Sequence, residues 1–145
     1  MRELRSGDQV IEFDRDATAC AYATIERGDS ERCGCSYCRN FMSQRSVVYP
    51  KEFLALLEEL GIDSSKEDEV YECGPAGSLR WYRGWFFFSG ELIQPGERAT
   101  SELHESFSFY FADAARRPRP KAEFGQKVLA LEFTTKVEWI LEEEP

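Results

Sequence analysis

The sequence LRWYRGWFFFSGEL, residues 79–92, sets the architecture of this chain because its apolar side chains fall on both faces of an extended strand. With the two-residue period of a strand, one face carries Leu79, Trp81, Trp85 and Phe87, and the other carries Tyr82, Phe86 and Phe88. A strand that is apolar on both faces is usually central and covered on each side. Gly84 in its middle indicates a bulge or the close approach of another group. The stretch therefore predicts a central strand with a helix layer packed against one face.

The segments around this strand also have strand patterns. Residues 69–73 are predicted as a short strand that ends in a glycine- and proline-rich turn at 74–77. After the central strand, residues 106–111 alternate cleanly, with phenylalanine at every second position. Residues 127–133 and 135–141 end the chain as two strands or as one long bent strand. Because the connections are short, we expect antiparallel neighbours.

Two helices are predicted between the early and the late strands. The first runs from about Ser36 to Val47 and stops ahead of Pro50, since the residue before a proline disfavours helical geometry. Pro50 then suits the first turn of a second helix. One face of that second helix carries an apolar stripe with helical spacing, formed by Phe53, Leu56, Leu57 and Leu60. Gly61 follows the stripe and predicts the end of the helix.

The N-terminal part is predicted as two strands, residues 9–13 and 17–26, joined at 14–16. The second of these alternates alanine with threonine, cysteine and tyrosine, which is the period of a pleated strand. Residues 27–32 are expected to form a polar loop. The sum is a single α+β domain, residues 1–145, with a mainly antiparallel sheet and a two-helix hairpin inserted between early and late strands.

Composition and charge exclude several classes of protein. The chain has 18 basic and 27 acidic residues, a net charge of −9 at pH 7, so its field repels phosphate backbones and anionic membranes. Residues 1–5 lead into polar sequence rather than an apolar run, and we expect no signal peptide and a cytoplasmic location. Five cysteines, an odd number, then indicate free or metal-bound thiols rather than a disulfide framework.

Three of the five cysteines, Cys33, Cys35 and Cys38, lie within six residues as C-x-C-x-x-C. With the first helix starting near Ser36, Cys35 is its N-cap and Cys38 lies in its first turn, where the helix dipole stabilises a thiolate. Thiolate binds zinc, and a structural zinc site takes four ligands. We expect the fourth to be Cys73, which closes a strand next to a flexible turn; Cys20 and the single histidine, His104, are the other candidates.

Two alternatives to zinc remain open for the cluster. A C-x-x-C at a helix start matches the mechanics of thiol–disulfide oxidoreductases, and a cysteine-dependent enzyme is the broader form of that hypothesis. The βαβ pattern of a thioredoxin-like domain is missing, however, and no catalytic motif is found. The simpler alternative is a tight turn at Gly34 whose small sulfurs only pack.

The run from Cys33 to Phe41, together with Pro50, Phe53, residues 60–63 and residues 84–87, resembles an uncharacterised family of small bacterial proteins with a C-x-C-x-x-C-x-N-F segment before a helical hairpin. The resemblance spans about the central third of the chain. It implies bacterial origin, and it implies no activity, because that family carries no established one.

We therefore predict a small bacterial binding or interaction domain rather than an enzyme, with a structural zinc–thiolate site. Its partner is expected to be a protein or a small ligand, and Tyr82, Trp85 and His104 are the candidates to line a pocket. A further alternative comes from the net charge alone: an acidic, immunity-like protein that binds a basic partner.

Overall fold

The computed structural model describes residues 1–96, 101–104, 106–117 and 122–145. The strands are β1 (Arg2–Ser6), β2 (Gln9–Phe13), β3 (Glu69–Ala76), β4 (Leu79–Gln94), β5 (Ser101–His104), β6 (Phe107–Asp113) and β7 (Val128–Glu138). The helices are α1 (Arg15–Ala23), α2 (Asp29–Cys33), α3 (Ser36–Val48) and α4 (Lys51–Leu60). Short 3-10 helices cover Ala114–Arg116 and Ala122–Phe124. Strands and helices in this arrangement confirm the α+β class.

Strand β4 is central to the sheet, as its sequence predicts. Within the described ranges, one seven-stranded sheet runs in the order β1-β2-β4-β7-β6-β5, and β3 pairs with β4 beside β2. Every pairing between these strands is antiparallel. One edge of β4 is paired with β7 from Leu79 to Ser89. The other edge is shared, because β3 pairs with residues 79–85 and β2 with residues 90–94.

Helix α1 fills the gap that β2 and β3 leave on this edge. The Tyr22 hydroxyl donates a 2.6 Å hydrogen bond to the Phe87 carbonyl. The Ser89 N–H donates to Thr18 Oγ1 at 3.0 Å, and the Ser89 carbonyl accepts from the Asp14 N–H at 3.0 Å. Buried backbone groups must find partners, and here side chains and a helix N-terminus replace a strand.

The helical state of α1 corrects the prediction of a strand at residues 17–26. Asp14 is the N-cap, and its side chain accepts from the Ala17 N–H at 3.0 Å. The buried residues of α1 are Thr18, Ala21 and Tyr22, which share one helical face. The alternation was real, but its small members are alanines, the strongest helix formers, and an N-cap aspartate precedes them.

Most other elements agree with the sequence. The helix predicted from Ser36 is α3, the second helix is α4, and Gly61 ends it with φ +83°. The last segments form one strand, β7, rather than two. The sequence missed β1, and the predicted loop at 27–32 contains the short helix α2. None of the helices in the described part of the chain is long and apolar enough to cross a membrane.

The core between the helices and the sheet is largely aromatic. The phenylalanines of β6 point into it, as the alternation predicts: Phe107, Phe109 and Phe111 are all buried. Phe53 of α4 packs on them, with its ring centroid 4.7 Å from that of Phe107. Gly84 allows the close approach expected there, because a Cβ atom would stand 2.7 Å from the Phe133 ring. Aromatic burial on this scale supplies the main stabilising term of the fold.

We expect Tyr22→Phe to lower the free energy of unfolding by about 1–2 kcal/mol, because it leaves the buried Phe87 carbonyl without its donor while keeping the ring. Urea unfolding should show a lower midpoint with an unchanged slope. Tyr71→Phe is the matched control, since Tyr71 is 41% exposed and its change should stay within about 0.5 kcal/mol. Equal midpoints for the two variants would contradict the role given to α1.

Candidate metal centre

A left-handed glycine turn brings the three clustered cysteines together. Cys33 ends α2, Gly34 has φ +70°, and Cys35 is the N-cap of α3, as its position in the sequence predicts. Only glycine adopts this backbone conformation without strain. The sulfur atoms of Cys33, Cys35 and Cys38 all lie within 4.8 Å of one another. The three thiols therefore form one triangle that a metal ion can contact.

The triangle is open to solvent on one side. Cys33 and Cys35 are exposed, whereas Cys38 is 5% exposed and packs beneath them. A ligand can therefore reach the sulfurs directly, while the buried member fixes the depth of the site.

Helix α2, which carries Cys33, is held in place by a buried carboxylate. Five residues are too few for a helix that is stable alone. The Glu67 side chain, with no exposed surface, accepts from the Ser30 N–H at 3.0 Å and from the Ser30 hydroxyl. Arg45 of α3 donates to the same carboxylate at 3.0 Å. Glu67 thereby ties both cysteine-bearing helices to one point.

The first turn of α3 is fixed to the sheet and to the end of β7. The Tyr82 hydroxyl donates to the Tyr37 carbonyl at 2.8 Å. The Asn40 amide donates to the Glu138 carbonyl at 2.8 Å and accepts from the Ile140 N–H at 2.9 Å. Because Asn40 is fully buried and its side chain both donates and accepts a hydrogen bond, it fixes the position of α3 relative to the residues after β7.

The thiols of Cys35 and Cys38 differ in acidity. Burial raises the pKa of Cys35, but hydrogen bonds from the Cys38 N–H, from the Cys33 and Cys38 thiols and from the Tyr37 N–H outweigh it, so the pKa is lowered. The distance from the Cys38 nitrogen to Cys35 Sγ is 3.4 Å. Burial and the two neighbouring thiols raise the pKa of Cys38. Cys35 therefore loses its proton at a lower pH than Cys38 does.

Charged and aromatic side chains surround the cluster. Arg39 donates from Nε to the Gly34 carbonyl at 3.0 Å and pairs with Glu143. The hydrogen bond to Glu143 raises the pKa of Arg39, and the negative charge of a Cys35 thiolate would raise it further. The Trp139 ring lies edge-on to Tyr37, with centroids 5.7 Å apart.

Of the other residues predicted as metal ligands, Cys73 lies outside this triangle and the His104 side chain lies outside the described residues. Within the described residues, the group of close ligand atoms contains Cys33, Cys35 and Cys38 but not Cys73. Cys73 is exposed on β3, with Sγ 4.0 Å from the Tyr71 carbonyl. His104 belongs by its backbone to β5, and its side chain lies outside the described residues.

The predicted pocket residues do not share one face of the sheet. Tyr82 is 1% exposed and faces the helices, where its ring packs on Phe41 with centroids 5.6 Å apart. Trp85, an odd number of residues further along β4, faces the opposite side. There the Arg117 guanidinium lies 4.9 Å from the Trp85 ring centroid. Tyr82 contributes to the cysteine site through Tyr37, and Trp85 belongs to a different surface.

Sequence reasoning missed the residues that support the cysteines. Glu67 and Arg45 carry no local signal, because their pairing depends on how α2, α3 and β3 meet. Arg39 follows Cys35 by one helical turn, and that spacing is a signal that could have identified it. The acidic segment after β7 is also held in place, because Trp139 donates from Nε1 to the Glu143 carbonyl at 2.7 Å.

No protein-family model, curated protein sequence or solved structure matches this chain. The resemblance to small bacterial proteins therefore stays a prediction. The geometry itself shows three cysteines, Cys33, Cys35 and Cys38, that are close enough together to hold a metal ion.

We expect Cys38→Ala to raise the pKa of Cys35, because the variant removes a thiol that donates to the Cys35 sulfur. Cys38→Ser is the matched control, since its hydroxyl still donates and should keep the pKa lowered. The measurement is the pH dependence of Cys35 alkylation in metal-free protein with Cys20 and Cys73 replaced by serine. A wild-type value at or above about 8.5, the pKa of free cysteine, would contradict the hydrogen-bonding argument.

Proposed function

We propose that this protein binds one zinc ion through Cys33, Cys35 and Cys38, and that the ion has a structural role in a binding or interaction domain. The observation that supports this is the sulfur triangle, with every pair of sulfurs within 4.8 Å. Three thiols on one small triangle, two of them facing solvent, suit a thiophilic ion better than they suit a packed core.

The spacing fits zinc with little movement. Zinc–sulfur bonds of about 2.3 Å in a tetrahedron place neighbouring sulfurs about 3.8 Å apart, so the triangle has to contract by about 1 Å at most. The Cys38 N–H already donates to Cys35 Sγ, and such a bond persists when the sulfur is a metal ligand. Cys35 loses its proton more readily than Cys38, and the ion displaces the thiol protons that remain when it binds.

A structural role follows from what the ligands connect. Cys33 ends α2, whereas Cys35 and Cys38 begin α3, so one ion cross-links two helices across Gly34. The domain buries a large aromatic core without the ion, and the ion adds local stability to the α2–α3 junction. An ion that binds only the folded state raises the free energy of unfolding, and at concentrations well above Kd this increase grows with the logarithm of the ion concentration divided by Kd.

We expect protein purified without chelator to contain about one zinc ion per chain, and Co²⁺ to give the intense near-ultraviolet absorption of thiolate coordination. Cys35→Ser should lose that absorption and most of the zinc. Cys20→Ser and Cys73→Ser are the matched controls and should keep both. Less than about a tenth of a zinc ion per chain, measured by elemental analysis, would contradict the proposal.

Thiol–disulfide exchange is a second candidate, favoured by the different burial of Cys35 and Cys38. Cys35 is exposed at the helix N-cap and Cys38 is buried one turn away, with their sulfurs within 4.8 Å. In such a reaction the Cys35 thiolate attacks a disulfide and releases one thiolate. Cys38 then displaces the second thiol and leaves a Cys35–Cys38 disulfide.

The two candidates differ in a direct experiment. Metal-free protein is mixed with glutathione disulfide, and the appearance of free glutathione and of an intramolecular disulfide is followed by mass spectrometry. An exchange enzyme should react many-fold faster than free cysteine, and Cys38→Ser in a Cys33→Ser background, which removes both neighbouring thiols, should stop at the mixed disulfide. Zinc uptake together with exchange no faster than free cysteine would reject the redox candidate.

A further inference from the structure

Three cysteines leave one position of a tetrahedral zinc site to be filled. Structural zinc sites are closed by four protein ligands. His104 belongs by its backbone to β5, which β6 and β7 separate from β4, and its side chain lies outside the described residues. Among the described residues, neither Cys73 nor any carboxylate is in the group of close ligand atoms with the three cysteines. A fourth ligand from the described residues therefore has to move toward the ion when it binds.

The C-terminal segment lies against the first turns of α3, next to the cysteine loop. After β7 ends at Glu138, the chain is held against α3 by the bond from the Ile140 N–H to Asn40. Trp139 continues this contact by packing on Tyr37, the residue between Cys35 and Cys38 in the helix start. The segment that follows is rich in carboxylates, at Glu142, Glu143 and Glu144.

Of these carboxylates, Glu143 is bound at the cysteine loop. Its side chain pairs with Arg39, and Arg39 in turn donates to the carbonyl of Gly34, the residue between Cys33 and Cys35. One guanidinium thus separates the Glu143 carboxylate from the loop that carries the thiols. The bond from Trp139 Nε1 to the Glu143 carbonyl fixes the backbone of Glu143 near that position.

We propose that Glu143 supplies the fourth ligand to the metal ion, an inference that rests on the zinc site proposed above. On binding, the carboxylate moves from Arg39 to the ion, and no covalent bond of the protein changes. The Arg39 and Glu143 side chains are 44% and 48% exposed, and ion pairs with that exposure contribute little, so the exchange of partners is easy. Arg39 stays beside the site and offsets the negative charge of three thiolates and a carboxylate.

The test compares Glu143→Gln with Glu144→Gln, which removes the same charge from the neighbouring position. Zinc affinity is measured by competition with a chromophoric chelator, and coordination by the visible absorption bands of Co²⁺. We expect Glu143→Gln to weaken zinc binding at least tenfold and to change the Co²⁺ bands. Glu144→Gln should leave both measurements as in the wild type.

The variant Arg39→Gln distinguishes two roles for Glu143: a ligand of the metal ion, or a residue that only positions Arg39. If Glu143 is the ligand, Arg39→Gln keeps the wild-type Co²⁺ bands, whereas a positioning role predicts that it mimics Glu143→Gln. Equal zinc affinity and equal bands for wild type and Glu143→Gln would overturn this inference and leave the three-cysteine site standing. Absence of zinc binding by the wild type would overturn the zinc site and the fourth ligand together.

Discussion

The backbone of β4 imposes the constraint on which the rest of the structure depends. Sixteen residues in one central strand need hydrogen-bond partners on both edges, because only three of them are exposed. On one edge β7 pairs with residues 79–89 and the Gly90 N–H donates to the Lys127 carbonyl, whereas the other edge uses β3, helix α1 and β2 in succession. Helices α3 and α4 lie on the face of β4 that carries Tyr82 and Phe86, and the rings of Phe41 and Phe53 pack there.

The cysteine cluster lies where this arrangement brings distant segments together. Helix α2 is attached to the residues before β3, α3 is attached to the end of β7, and Gly34 joins the two helices. A buried carboxylate is costly unless it is fully paired, so Glu67 keeps Ser30 and Arg45 as partners and resists any shift of α2. The positions of the sulfurs follow from these anchors rather than from the cysteines themselves.

Metal binding and disulfide exchange would use the same triangle and exclude each other. A disulfide between Cys35 and Cys38 removes two of the three thiolates that an ion needs, and a bound ion holds the thiolate that exchange requires. The unequal acidities of Cys35 and Cys38 serve either chemistry. What favours metal is the third sulfur, since exchange needs only two and Cys33 completes the triangle on the solvent side.

The sequence by itself determined the elements whose signals are local. Four features depend only on neighbours within a few residues. They are the two apolar faces of residues 79–92, the alternating phenylalanines of β6, the apolar stripe and terminal glycine of α4, and the N-cap role of Cys35. At residues 17–26 two local signals conflict: the alternation predicts a strand, whereas the alanines and the Asp14 N-cap favour a helix. The helix forms. Tertiary structure alone decided that Tyr82 and Trp85 face opposite sides of the sheet and that Cys73 lies outside the cysteine triangle. It also decided that Glu143 pairs with Arg39. These outcomes depend on contacts between segments far apart in the chain, and such contacts leave no periodic trace in the sequence.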